Sequence, residues 1–307
     1  MTNPPPALTR MQRLGLESLW LLACGVAVLP YWFKYYVLEP LIFGVLCYCL
    51  RYRRRVVTTN LRNAFPEKSE AERATIRRNF YHTLAEVMID TLNMAHMPPE
   101  KARRVIRVGN LEEQTAAVRG RDWIALLAHF GCWEYGSYWN ALYDPSQVLV
   151  AVYHPLRSPV AEAFYQRLRN QANSMTVAMK ETMRFYLRHR ESGIDGKRIA
   201  LGLIADQSPK LRPDSHWFTF LNQQTVFFDG GEKLALRYRL PVWFVRMERL
   251  KRGVYRLWFE PVYDGEEEVA PNEITERYVR KLEQMIREHP ELWMWSHRRW
   301  KHQPPTA

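Results

Sequence analysis

Asp122-Trp-Ile-Ala-Leu-Leu-Ala-His129-Phe-Gly-Cys-Trp-Glu134 is the stretch on which the fold turns. Its apolar run, Ile124 to Ala128, has the length and composition of a buried strand. His129 stands at the end of that run and a glycine follows at 131. Glu134 then leads into Tyr135-Gly-Ser-Tyr-Trp-Asn-Ala-Leu142, which reads as a helix. A histidine at a strand end with a carboxylate in the next helical turn is a workable base and orienter. The carboxylate holds one ring nitrogen, and the other is left to take a proton from a hydroxyl. The same spacing also occurs by chance, so its meaning depends on the chain around it.

Outward from that stretch, strands and helices alternate. Strands are expected near Ile124–Ala128, Val148–Tyr153, Arg198–Ala205, Val242–Glu248 and Tyr255–Glu260. Helices are expected near Leu111–Val118, Trp133–Leu142, Pro159–Ala172, Glu181–Arg190, Gly231–Arg239 and Glu273–Glu288. This order predicts an α/β fold, a mixed and mostly parallel sheet flanked by helices. Ligands in such folds gather at the carboxyl ends of strands. His129 and Asp206 both fall at such ends. Asp206 suits the orientation of a substrate group or a neighbouring cation, or the capping of a loop.

The bulk composition narrows the partners. The chain has 307 residues, 47% of them hydrophobic, enough for a large core. Aromatics make up 13%, and rings with a polar tip favour wet apolar boundaries, membrane interfaces among them. A net charge of +12 calls for an anionic partner. No zinc-finger spacing and no RNA-binding signature is present, so a membrane is expected rather than nucleic acid. The four cysteines, Cys24, Cys47, Cys49 and Cys132, resemble neither a disulfide framework nor a zinc site and read as small buried hydrophobes. Cys132, beside His129, is either a nucleophile or a packing residue.

The first fifty residues read as a membrane anchor and residues 51–307 as the α/β domain. Met1 to Arg13 starts polar and Pro-rich, and poor order is expected there. Ser18 to Phe33 carries no charge, but at about 1.5 Å per residue it reaches roughly 24 Å, short of a ~30 Å hydrocarbon core. Pro30 interrupts it, and a second apolar run follows from Pro40 to Leu50. A kinked span, a hairpin dipping into one leaflet, or a soluble amphipathic hairpin all fit. Arg51-Tyr-Arg-Arg-Arg55 comes directly after, the kind of cluster that marks a cytoplasmic face and attracts anionic headgroups. Val56 to Phe65 reads as a helix ending before Pro66, and Ser69 with Glu72 forms a capping box opening the next. His82 and Glu86, four apart on that helix, are either a metal pair or surface or buried polar residues; two ligands alone make no metal site.

Four segments together resemble the bacterial lipid A biosynthesis (late) acyltransferases, the lauroyl/myristoyl transferase type. They are Tyr52-Arg-Arg-Arg-Val-Val-Thr-Thr-Asn-Leu-Arg-Asn-Ala-Phe-Pro-Glu67, Ala128-His-Phe-Gly-Cys-Trp-Glu134, Ala205-Asp-Gln-Ser208 and Trp293-Met-Trp-Ser-His-Arg-Arg-Trp-Lys301. The resemblance implies an inner-membrane enzyme with its active domain on the cytoplasmic side. It implies transfer of a fatty acyl group from an acyl carrier protein thioester to a hydroxyl of a phosphorylated glycolipid, a lipid A precursor. His129 and Glu134 match the family's His-x4-Asp/Glu motif. Lys180 stands where the family often has arginine, which keeps the charge and loses the fork. Cys132 stands where it often has asparagine, and Trp217 to Lys233 looks like a variant found in some members.

Those matches assign roles. His129 is the expected base and Glu134 its orienter. The backbone after His129 and Lys180 are expected oxyanion donors. Asp206, Gln207, Arg298 and Arg299 are expected at the substrate, the arginines on phosphates or packed as a terminal turn. Gly230 and Gly231 form a phosphate loop or a plain turn. No metal or cofactor is expected. The other readings are an acyltransferase on a glycerophosphate or amino-acid lipid, and a basic peripheral membrane protein without catalysis.

Overall fold

The computed structural model describes residues 7–118, 120–171 and 174–304. Residues 1–6 of the Pro-rich start and Ala172 of the expected 159–172 helix lie outside the described residues.

Seven strands form one sheet: β1 (Ile106–Val108), β2 (Trp123–Leu127), β3 (Gln147–Tyr153), β4 (Met175–Ala178), β5 (Arg198–Ile204), β8 (Val242–Lys251) and β9 (Val254–Tyr263). Between them in the chain, β6 (Trp217–Phe220) and β7 (Gln223–Val226) pair as a separate antiparallel hairpin. The sheet order is β1-β9-β8-β2-β5-β3-β4. All its pairings are parallel except β8 with β9. Five strands match the expected ones to within a few residues. The four unexpected strands have only three or four residues each. So short a run holds too few side chains to display a period.

The central strands are buried on both faces: Trp123, Ile124 and Ala125 on β2, and Ile199, Ala200 and Leu201 on β5. This is why they read as continuous apolar runs rather than alternating ones. In the β6–β7 hairpin, Leu221 and Asn222 have φ of 48° and 62°, the two left-handed residues a tight primed turn needs.

At the N-terminus, Thr9 and Gln12 form a capping box that opens the helix Arg10–Val28. Pro30 breaks the helix, since it has no amide to donate. A second arm, Tyr31–Cys49, continues at 115° to the first through alternating α and π turns. Among the described residues no single helix is long and apolar enough to cross a membrane. The inner side of this hairpin, including Trp20, Ala23, Tyr35 and Phe43, is buried. It packs on the helix Glu70–Asn93, which opens with the Ser69–Glu72 capping box.

The seat beneath the hairpin is polar. His82 Nδ1 lies 2.8 Å from Glu39, and its ring stacks on Phe43 with centroids 3.7 Å apart. Glu86 is paired with Arg249 at 2.8 Å and Arg252 at 3.0 Å. His82, half-buried, and Glu86, buried, therefore each have their own partner, and no metal-binding cluster occurs among the described residues. Gly253, at φ 68°, turns β8 into β9 where the Tyr35 ring lies against it; a Cβ there would sit 1.9 Å from the Tyr35 hydroxyl. Of the cysteines only Cys132 is buried; Cys24 and Cys47 are partly exposed and Cys49 is exposed. Cys49 thus departs from the expected burial because its arm has a solvent-facing side.

Candidate active site

The sheet register builds the site. β2 and β5 are parallel neighbours with Leu127 opposite Ile204. His129 and Asp206 each follow two residues after those partners, so the two side chains leave the sheet side by side. The Leu127 carbonyl accepts from the Ala205 amide at 3.2 Å and from the Tyr278 hydroxyl at 2.8 Å, which holds both strand ends together.

Asp206 is 3% exposed and fully engaged. Its Oδ1 lies 2.7 Å from His129 Nδ1. Its Oδ2 accepts from the His129 amide at 3.0 Å and from Trp293 Nε1 at 2.8 Å. Burial alone pushes this carboxyl up. The adjacent His129 and the three hydrogen bonds outweigh burial and hold it below the usual carboxylate range. With Nδ1–H donating to Asp206, His129 Nε2 presents its lone pair to the cleft, where the Gln207 amide nitrogen lies 3.1 Å away. The ring edge rests on Trp133 at 4.9 Å.

The expected orienter, Glu134, does something else. Its carboxylate is taken bidentately by Arg169, Nε to Oε2 at 2.9 Å and Nη2 to Oε1 at 2.6 Å. Burial raises the Glu134 carboxyl, but Arg169 more than offsets this and holds it low. The five-residue spacing crosses a turn around Gly131, at φ 53°, and the short 3-10 segment Trp133–Tyr138. That geometry points Glu134 at the helix Pro159–Gln171, where Arg169 lies. Imidazole orientation thus falls to Asp206, with which His129 shares a strand register and not a sequence spacing. His129, Glu134 and Arg169 line one cleft of about 540 Å³, with Tyr153, His154, Arg157 and Met294, and Asp206 lies buried behind His129.

The remaining expected residues divide. Gln207 joins the site. Lys180 is exposed at the end of β4 and lines a larger neighbouring cavity of about 1000 Å³, not the His129 cleft. The two cavities share His154, Pro155, Met179, Ser208 and Phe228. The first amides after His129 are already spent: Phe130 donates to Ala128 and Gly131 to Leu292, both at 2.9 Å. They cannot serve an oxyanion without rearrangement. Arg299 is 2% exposed, donates to the Val226 carbonyl at 2.7 Å and lies over the Phe227 ring; burial lowers its guanidinium to about 10. It is a packed cation that cannot grip a headgroup. Arg298, next to it, is exposed. Cys132 is fully buried, and burial first, then Asp90, push its thiol well above the ordinary value. A thiolate nucleophile is excluded by that environment. Gly230 and Gly231 open the helix Gly230–Tyr238 at the edge of the larger cavity and of an apolar slot of about 290 Å³. That slot also takes in Leu126, Met183, Leu203 and Leu234, and it meets the His129 cleft at Val152, Met179, Ile204 and Phe228.

Sequence reasoning missed Arg169 and undervalued Trp293. Arg169 sits among ordinary helix charges with nothing to mark it. Trp293 lay inside a recognised segment, yet only the return of the C-terminal chain across β2 shows its indole on Asp206: Phe130 bridges Trp293, and the Met294 amide donates to the His129 carbonyl at 3.1 Å.

A buried carboxylate thus stands behind an imidazole at the carboxyl end of a mostly parallel sheet, and the cleft in front of it adjoins an apolar slot. The profile of the bacterial lipid A biosynthesis acyltransferases matches residues 10–302, and the chain belongs to that family and is an acyltransferase. It is 24% identical over 304 residues to the lipid A biosynthesis palmitoleoyltransferase of Escherichia coli (strain K12), covering 93% of this chain and 92% of that one. The lipid A biosynthesis acyltransferase of Shigella flexneri matches to the same extent. A second protein of that organism, lipid A biosynthesis acyltransferase 2, is 21% identical over 285 residues, 86% of this chain and 88% of that one.

Proposed function

We propose that this acyltransferase moves a fatty acyl group from an acyl carrier protein thioester onto a hydroxyl of a phosphorylated lipid A precursor, at the cytoplasmic face of the inner membrane. The observation that carries the reading is the 2.7 Å contact between His129 Nδ1 and a buried Asp206, with Nε2 left facing the cleft.

The hydroxyl enters at Nε2 in place of the Gln207 amide. Nε2 takes its proton as the oxygen attacks the thioester carbonyl, and Asp206 stabilises the imidazolium. The C–S bond then breaks, and the imidazolium returns the proton to the departing thiolate. Gln207, displaced from Nε2, is free to donate to the oxyanion. The apolar slot suits the acyl chain.

Membrane association is supported by the hairpin. Among the described residues more than half of the exposed large apolar side chains lie between Met11 and Tyr52, including Leu21, Leu22, Trp32, Tyr36, Leu41 and Tyr48. Arg10, Arg13 and Arg51 to Arg55 flank that surface, which suits a cytoplasmic leaflet with anionic lipids. With its inner side committed to the protein, the hairpin suits lying in one leaflet.

The test is acyl transfer by His129→Ala in isolated membranes, with folding checked by thermal melting. Loss of about 10²-fold to 10⁴-fold in turnover is expected. Wild-type turnover would end the mechanism. Mass spectrometry of lipids from cells with and without the protein names the acceptor, as the species that loses one acyl chain.

A further inference from the structure

The C-terminal segment runs from the active-site cleft to a second, cationic one. Met294 lines the His129 cleft. His297 Nε2 accepts from the Ser208 amide at 3.4 Å, and burial pushes this imidazole down to about 4, so it stays neutral. One residue further, Arg298 opens onto a cleft of about 780 Å³ whose other walls are Arg51, Arg53, Arg54, Arg55, Val56, Thr58 and Thr59. Five guanidinium groups from two distant parts of the chain meet there, and no carboxylate lines it. Among the described residues none of the five forms an ion pair, whereas Arg77, Arg212, Arg256 and Arg280 each do.

The five arginines are exposed, and the two chain segments that carry them are tied together. Arg53 Nη1 donates to the Ser296 carbonyl at 3.0 Å. Asn60, two helical turns on, is buried and donates to the carbonyls of Trp295 and His297 at 2.9 and 3.0 Å. Arg51 and Arg53 are held at φ of 46° and 49°, a left-handed backbone that arginine rarely adopts. Such strain persists only where the surroundings over-determine it, and it gathers at ligand sites. Leu50 and Tyr52, both exposed, place the cleft at the border of the apolar hairpin surface.

We infer that this cleft binds the phosphate-bearing head of a membrane lipid, and that the lipid is the acyl acceptor. Arginine forks suit phosphate oxygens, and five uncompensated cations suit more than one phosphate. The four steps from Met294 to Arg298 span at most about 14 Å of extended chain, so one headgroup of disaccharide size reaches from this cleft toward Nε2 of His129. The inference rests on the acyl-transfer reading for the acceptor's identity, while the phosphate site itself does not.

The experiment uses the full-length protein and the triple substitution Arg54→Gln, Arg55→Gln, Arg298→Gln, which leaves the strained Arg51 and Arg53 in place. Binding is measured to phosphatidylcholine vesicles carrying lipid A, to the same vesicles after its phosphates are removed, and to vesicles carrying phosphatidylglycerol. The wild type is expected to prefer phosphorylated lipid A. The triple variant should lose that preference by roughly tenfold or more, with the acceptor KM raised by a similar factor and kcat and the donor KM unchanged. Loss confined to phosphatidylglycerol vesicles would overturn the acceptor assignment and give the cleft to bulk lipid. Unchanged binding to all three would overturn the phosphate site. The His129→Ala variant should keep wild-type binding, so failure of the chemistry and failure of this site are told apart.

Discussion

Asp206 and Asp90 are both fully buried aspartates, and they carry opposite charges of meaning. Asp206 at the sheet end receives an imidazole, a backbone amide and an indole, and its carboxyl is held low against burial. Asp90, under the N-terminal hairpin, receives two phenols, Tyr35 at 2.5 Å and Tyr255 at 3.2 Å. There burial dominates, Glu86 adds to it, and the carboxyl rises to about 7. Burial is common to both; the partners decide whether the group is a permanent anion. A base needs a permanent anion behind it, whereas a seat for a helix needs only a hydrogen-bond acceptor.

Removing the charge at the first site is the strongest way to break this contrast. Asp206→Asn keeps the shape and the acceptor for Trp293 but offers an amide donor to His129 Nδ1. The proton is then forced onto Nε2, the wrong tautomer for a base. Turnover of the folded protein should fall about 10²-fold to 10⁴-fold, alongside a lowered Tm at neutral pH. Substantial activity in that variant would remove Asp206 from the mechanism.

Glu134→Gln comes next and should act on stability first. It strands the buried Arg169, at a cost of about 3–5 kcal/mol. Chemical denaturation measures it. If Glu134 oriented His129, the pH–rate profile would change as it does for Asp206→Asn; the geometry predicts an unaltered profile in the folded fraction.

The two aspartates should also answer pH with opposite signs. The native Asp206 carboxyl lies below the unfolded value of about 3.9, so its contribution is full above that value and is lost as pH falls through the native one. For Asp90 the native value is above the unfolded one. Between about pH 4 and about 7 the native state holds the extra proton, so this group's contribution declines as pH rises. Asp90→Asn should therefore raise Tm near pH 8 relative to the parent and give no advantage near pH 4. A gain of equal size at both would refute the assignment. Cys132→Ala should have the smallest effect, less than about twofold on turnover, since its thiol is buried and protonated. Inactivation of the wild type by iodoacetamide at this residue would contradict that.

Much of the fold was legible because its central strands are buried on both faces and carry unbroken apolar runs, as Ile199 to Ile204 does. The capping box at Ser69 and the break at Pro30 were local chemistry and needed no neighbours, whereas Arg10 to Arg13, expected to be poorly ordered, form the first turn of a helix capped by Thr9. The strands at Ile106, Met175, Trp217 and Gln223 were too short to show a period. In the site, His129 was legible as a strand-end residue, and Asp206 was legible as a residue that could face a cation. That they face each other was not, because 77 residues separate them and only the pairing of β2 with β5 closes the distance. Glu134 was misassigned for the same reason: nearness in sequence stood in for nearness in space, and the turn at Gly131 carries it to Arg169 instead.

By itself the sequence determined where the five long strands and most helices form, that the protein is basic, and which family it belongs to, since each of these depends on local composition and order. Only the tertiary structure decided which carboxylate serves the imidazole, that Arg299 is sealed in while Arg298 joins Arg51 to Arg55, and that the N-terminal helices bend into a hairpin with one side committed to the protein. Those outcomes depend on strand register and on the return of the C-terminal chain across β2, and such long-range pairings leave no mark at any single position.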